Sequence, residues 1–220
     1  MDKTYALGPA LALVAARLDA ARPLTASAQI VTQRISAEIG FPASVLEKVG
    51  DSLVITAFEG GAASAPGDRI PYAPPFGVAF AAWDDPDGQQ TWIARAAPSD
   101  TDLAQRLRQV LARTRKRGFD IDWTTPALAE AARLMGDAAT GLPDSVRQLL
   151  DRLLVEFTTI GLLDGEGTRP VATISAPVFD QHSRVSLIIA VHPLRTLPID
   201  EVQEIGTRLV EESATLSATR

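Results

Sequence analysis

The sequence predicts an α/β sandwich: a mostly antiparallel central sheet with helices on both faces. Three observations carry this reading. Two pairs of short apolar runs containing β-branched residues, 43–49 with 52–58 and 171–179 with 185–191, are each joined by a tight polar or glycine-bearing turn. The run Leu187-Ile188-Ile189-Ala190-Val191 is apolar at every position, as a central strand covered on both faces requires. Segments with helical spacing precede, separate and follow the hairpins. At 220 residues and 46% apolar, the chain is long enough to close one core of its own.

Taken in order, Leu7, Leu11, Val14 and Leu18 follow an extended Lys3-Thr4-Tyr5 at steps of four, three and four. This narrow seam suits contact with a single partner helix, and Ala10, Ala15 and Ala21 permit close approach. A linker and dimerisation helix is therefore expected over 1–22, with packing on its own domain as the other reading, and a second unit over 23–220. Pro23 restarts the chain. Leu24, Ala28, Val31, Ile35 and Ile39 then recur at helical spacing until Gly40, a residue suited to a left-handed cap.

The first hairpin turns at Gly50-Asp51, and 59–71, with five Gly or Pro, reads as a surface loop. Tyr72-Ala73-Pro74-Pro75-Phe76-Gly77 then feeds a short apolar helix, whose first amides lack intrahelical partners and so suit an incoming acceptor. Residues 84–88 read as a turn, and 89–96 fit helix or strand. Ser99 with Asp102 resembles a capping box opening a helix to about Arg117. An extended stretch over 118–123 precedes a helical hairpin, about 126–135 and 143–159, inside an insertion spanning about 124–168. After the second hairpin, Pro198, Asp200 and Glu201 open an amphipathic closing helix lined by Val202, Ile205, Leu209 and Val210.

Composition removes several function classes. The chain has no Cys and two His, so thiolate, zinc-thiolate and most imidazole chemistry is excluded, and no metal or cofactor is expected. Catalytic nucleophile-elbow, phosphate-loop and zinc-helix motifs are absent, and Gly165-Glu166-Gly167 is a turn rather than a dinucleotide site. No enzyme is expected. His182, beside Asp180 and Ser183, fits a self-satisfied turn better than a triad. His192 ends the central strand, either as a plain strand end or at a pocket mouth. Asp120 and Asp122 share one side of an extended segment, as a weak carboxylate pair or as a polar anchor in a pocket. Net charge −6 argues against holding nucleic acid by bulk electrostatics. The cluster Arg106, Arg108, Arg113, Arg115, Lys116 and Arg117 is accounted for by the helix macrodipole and an ordinary solvated face. No run is long enough to span a bilayer and no secretory signal opens the chain, so a cytoplasmic location is expected.

Four segments in this order, Tyr5-Ala6-Leu7-Gly8-Pro9, Tyr72-Ala73-Pro74-Pro75-Phe76-Gly77-Val78-Ala79, Arg115-Lys116-Arg117-Gly118-Phe119-Asp120-Ile121-Asp122 and Ile174-Ser175-Ala176-Pro177-Val178-Phe179-Asp180, resemble the IclR family of bacterial transcriptional regulators. The resemblance covers nearly the whole chain outside about 124–168. It implies a GAF-like (profilin-like) effector-binding domain behind a linker helix, with Met1 falling just after the family's winged helix-turn-helix. DNA contact would then require a winged helix supplied outside this chain.

The resemblance also implies a homodimer or dimer of dimers and a small-molecule effector held by Pro75, Phe76, Gly77, Asp122, Val171 and Thr173. Ile189 and Val191 fall where some members offer hydroxyls, which implies an apolar or aromatic effector, with or without an acidic group, or a collapsed pocket. Phe76-Gly77-Val78 replaces a small-residue turn, and the helical insertion implies a lid or a new interface. The alternative is a ligand-free interaction and oligomerisation protein on the same scaffold.

Overall fold

The computed structural model describes residues 17, 22–61, 64–97, 99–123 and 167–218. The seam Leu7, Leu11, Val14 and Leu18, the helical hairpin and most of the insertion lie outside the described residues.

Helix α1 (Pro23–Ile39) opens with its proline in the first turn and ends at Gly40, whose φ of 78° is the left-handed cap. Strands β1 (Ala43–Val49) and β2 (Ser52–Glu59) form the expected hairpin, with a bulge between Val45 and Leu46. The loop read over 59–71 closes instead in a three-residue strand, β3 (Arg69–Pro71), paired with β2. Its Pro71 and its brevity suit an edge.

Helix α2 (Val78–Ala81) is a single buried turn. Helix α3 (Pro86–Ala94) resolves the open reading of 89–96 and begins inside the expected turn: Asp85 accepts from the Gly88 N–H at 2.7 Å, and Pro86 occupies the first turn. Helix α4 (Thr101–Arg117) is capped by Asp100, which accepts from the Leu103 N–H at 2.8 Å, and not by Ser99. Asp100 stands three residues before the amide it caps, the same spacing Ser99 has with Asp102, so the pattern alone fits two registers.

Strand β4 (Asp120–Asp122) and the hairpin β6 (Thr173–Phe179) with β7 (Val185–Val191) complete a six-stranded antiparallel sheet of order β3-β2-β1-β7-β6-β4. The expected run 171–179 breaks at Ala172. Its start belongs to β5 (Thr168–Val171), which pairs with β8 (Arg195–Pro198) in a separate ribbon. Helix α5 (Ile199–Ala218) closes the chain.

Two cores follow from strand alternation. Val45, Ile121, Ile174, Ala176, Ile189 and Val191 face α1 and α5, while Leu53, Ile188 and Ala190 face α2, α3 and α4. Gly206 lets α5 approach closely, because a Cβ there would stand 2.2 Å from the Phe119 ring. At the far edge, the β4 register ends at Ser175. Past it, Pro177 has no N–H to offer, and the Phe179 N–H donates to the Ser217 hydroxyl at 3.0 Å. No described helix is long and apolar enough to cross a membrane.

Candidate functional site

Ile121 and Ile174 point into the α1/α5 core, so their neighbours Asp120, Asp122, Thr173 and Ser175 lie on the opposite face, under α2 to α4. Ser44, flanked by the inward Ala43 and Val45, shares that face, as does His192, two residues beyond Ala190. The fold thus brings Ser44, His192, Thr173 and Asp122 into a polar row across four adjacent strands.

His192 is the centre of the row. Its Nε2 lies 2.8 Å from the Ser44 hydroxyl and its Nδ1 3.1 Å from the Thr173 hydroxyl. The ring stacks on Phe58 with centroids 5.7 Å apart, and its main-chain N–H donates to the Pro42 carbonyl at 2.7 Å. Burial lowers its pKa to about 4, so near neutral pH the ring is uncharged and offers one donor and one acceptor. Hydroxyls can meet either role, which makes the Ser44–His192–Thr173 set internally complete. Next along the sheet, Asp120 accepts from the Thr114 hydroxyl at 3.2 Å. Burial raises its pKa to about 6; the Arg117 charge opposes that rise and the Asp122 charge adds to it.

The turn before α2 lies over the same face, with Phe76 packed against the core of α2, α3 and α4. It contains a cis Pro74–Pro75 bond. The Phe76 carbonyl accepts from the Trp92 indole N–H at 2.9 Å, and the Phe76 N–H donates to Ala73 at 2.8 Å. Pro75 has no N–H, so neither of these two residues offers a free amide, whereas the first amides of α2 have no bond of their own among the described residues. Gly77 has φ of 81°, and a Cβ there would come within 2.6 Å of the Tyr72 ring. Tyr72 is itself clamped, with Lys48 Nζ 4.1 Å from its ring centroid and its hydroxyl donating to Asp84 at 3.4 Å. Desolvation, followed by the Asp84 charge, raises the Tyr72 pKa.

Of the residues singled out in the sequence, Phe76, Gly77, Asp122 and Thr173 therefore stand on the α2–α4 side. Val171, Ile189 and Val191 do not: each is at most 1% exposed in the core against α1 and α5. In a strand, a count displaced by one residue exchanges the two faces, and the positions that share a face with Thr173 are Ala190 and His192. The spacing Ser186, Ile188, Ala190, His192 carried that signal. Phe58 and Ser44 gave none, because their pairing with His192 closes over more than 130 residues of chain.

Between Trp83, Pro177, Phe179, Val210 and Ala214 runs an open apolar groove of about 460 Å³. Its Ser217 hydroxyl is already engaged, accepting from Phe179 and donating to the Ser213 carbonyl at 2.7 Å. Among the described residues no three His, Asp or Glu side chains converge as a metal-binding set. The Asp180 carboxylate accepts from the His182 and Arg184 amides at 2.8 and 2.9 Å, so the expected self-satisfied turn is present.

No family model matches the chain, and no curated protein matches it. Solved structures do. An IclR transcriptional regulator from Alicyclobacillus acidocaldarius is 19% identical over 97% of this chain and 74% of its own, with a TM-score of 0.60. The C-terminal domain of the Escherichia coli transcriptional regulator KdgR is 20% identical over 89% of this chain and 96% of its own, with a TM-score of 0.53. The Agrobacterium tumefaciens repressor BlcR is 16% identical, covering 91% of this chain and 70% of its own, with a TM-score of 0.50. At these identities the likeness is one of fold, and the fold is that of the IclR-type regulators, including C-terminal domains solved alone.

Proposed function

We propose that this chain is the ligand-sensing and dimerising portion of an IclR-like transcriptional regulator, and not an enzyme. The supporting observation is that the 75–77 turn and the row Asp122, Thr173, His192 share one face of the sheet. The effector is a small apolar or aromatic molecule, with or without an acidic group, lying between Phe76 and Gly77 on one side and Asp122 and Thr173 on the other. Val171, Ile189 and Val191 act from behind, fixing the strands that carry the row. Pro75 shapes the turn. Sensing follows if the effector binds two arrangements of paired linker helices, carrying Leu7, Leu11, Val14 and Leu18, with unequal affinity. The working unit is a homodimer or dimer of dimers in the cytoplasm, and operator reading requires that a winged helix be supplied outside this chain.

A thermal-shift screen of small aromatic and aliphatic acids, phenols and neutral aromatics tests this. At about 100 times its Kd a ligand adds about 2.7 kcal/mol, which for a domain of this size is a rise of roughly 5–10 °C. The response should shrink in Thr173→Val. If no compound in the screen moves the Tm, sensing is wrong.

A second reading is favoured by the completeness of the Ser44–His192–Thr173 set, which leaves no hydroxyl of the three waiting for a partner. On that reading the domain is a ligand-free association module. Sedimentation showing a stable dimer, together with a flat ligand screen, would select it.

A further inference from the structure

The outer face of α4 stands apart electrostatically from the rest of the described chain. Elsewhere, Arg22, Arg34, Lys48, Arg95 and Arg208 each hold a carboxylate, while the exposed Arg69, Arg184 and Arg195, which hold none among the described residues, are scattered singly over different elements. On α4, six cations occur in 17 residues, with Asp102 in the first turn as the helix's one acid, in a chain of net charge −6. Arg106, Arg115 and Lys116 have no acidic partner among the described residues, and Arg108 donates to the neutral Gln90 at 3.0 Å. The macrodipole accounts for cations in the last turn. It does not account for Arg106 and Arg108, which lie two turns or more upstream.

Their arrangement is as informative as their number. Leu103, Leu107, Val110, Leu111 and Thr114 fix the inner face. Helical geometry then places Gln105, Gln109, Ala112 and Lys116 along the outer crest, all exposed. Arg106 and Arg113 run down one flank of that crest, Arg108 and Arg115 down the other, and all four are exposed. Each pair is seven residues, or about 10 Å, apart. The result is a crest bearing two glutamines and a lysine between two arginine-bearing flanks. A helix about 10–12 Å across matches a duplex major groove about 12 Å wide, with phosphates along both rims and base edges on its floor.

We propose that the outer face of α4 docks on double-stranded DNA, with Arg106 on the phosphates of one rim, Arg108 and Arg115 on those of the other, and Gln105 and Gln109 facing the groove. The contact is auxiliary to any winged helix and independent of the effector reading, since it uses neither the polar row nor the 75–77 turn. It is weak and salt-dependent, because the rest of an acidic chain opposes it and α4 alone supplies the attraction.

The test is fluorescence anisotropy of a labelled 20-base-pair duplex titrated with the intact chain at 50 and 150 mM salt. The proposal expects binding at 50 mM that the Arg106→Gln/Arg108→Gln/Arg115→Gln variant weakens by about tenfold or more, with the slope of log affinity against log salt falling by nearly three. An unchanged Tm shows that the variant is folded, as substitution at three exposed positions should leave it. Arg69→Gln/Arg184→Gln, two exposed cations off α4, removes charge without touching the helix and should cost much less. Absence of wild-type binding at 50 mM salt overturns the proposal, as does an equal loss from the control pair. Binding of heparin as tight as that of the duplex overturns it in favour of a generic polyanion site. A triple variant that alters self-association in sedimentation while leaving DNA binding intact overturns it in favour of a second copy of the chain.

Discussion

Asp120 and His192 stand on the same face of the sheet, two strands apart, and burial displaces their pKa values in opposite directions, to about 6 and about 4. Between pH 4 and 6 the folded state keeps a proton on Asp120 that the unfolded chain releases, so this group makes stability fall as pH rises. Between pH 4 and 6.5 the unfolded chain protonates its histidine and the folded state does not, so His192 makes stability rise with pH. Each effect is on the order of 3 kcal/mol. The wild type should therefore show a shallow net slope from these two groups. Asp120→Asn should expose a stability that climbs toward pH 6.5, and His192→Gln one that declines. Urea unfolding across pH 4–7 reads both, and parallel pH profiles for the three proteins would refute the opposition.

Gly77 cannot be replaced cheaply. Alanine there meets both a left-handed backbone and the Tyr72 ring at 2.6 Å. Gly77→Ala should cost about 3 kcal/mol, seen as a Tm lower by roughly 6–12 °C. A Tm within a degree or two of wild type would mean that the turn does not hold this conformation.

Gly206 gives a sharper test, since its backbone is helical and the obstacle is one ring. Gly206→Ala should destabilise by about 1–3 kcal/mol through its clash with Phe119. Phe119→Leu, itself a loss of core packing, should recover part of that cost in the double variant. A double-mutant cycle measures the coupling, and simple additivity would count against direct contact.

Trp92 is wholly buried, and its indole N–H donates to the Phe76 carbonyl. Trp92→Phe should leave that carbonyl unpaired at a cost of about 1–3 kcal/mol. If the turn belongs to the effector site, the same variant should weaken the ligand-induced Tm rise more than a distant substitution of equal stability cost, such as one in α1.

Much of the fold was legible because its signals are local. The Gly40 cap, the Gly50-Asp51 hairpin, the two-sided apolar run of β7 and the closing helix each announce themselves within a few residues. The site was less so. Ile189 and Val191 enter the pocket through the family resemblance alone, and in a strand a correspondence displaced by one residue exchanges core for pocket. The β5–β8 ribbon and the Ser44–His192 contact are made by segments distant in the chain, where no short-range pattern can specify partners. Asp85 and Asp100 show the converse: both caps lay in plain view, and neighbouring Asp and Ser residues offered competing registers for them.

The β6 border beyond Ser175 has a further implication. A strand presented from another molecule would find a proline where it needs a donor and, at Phe179, a donor already committed to Ser217. Lateral recruitment of foreign backbone is thereby discouraged at a rim that, among the described residues, a three-residue β4 covers only in part. Copies of this domain should consequently not zip their sheets together along that border, which also guards the folded protein against fibre growth from it.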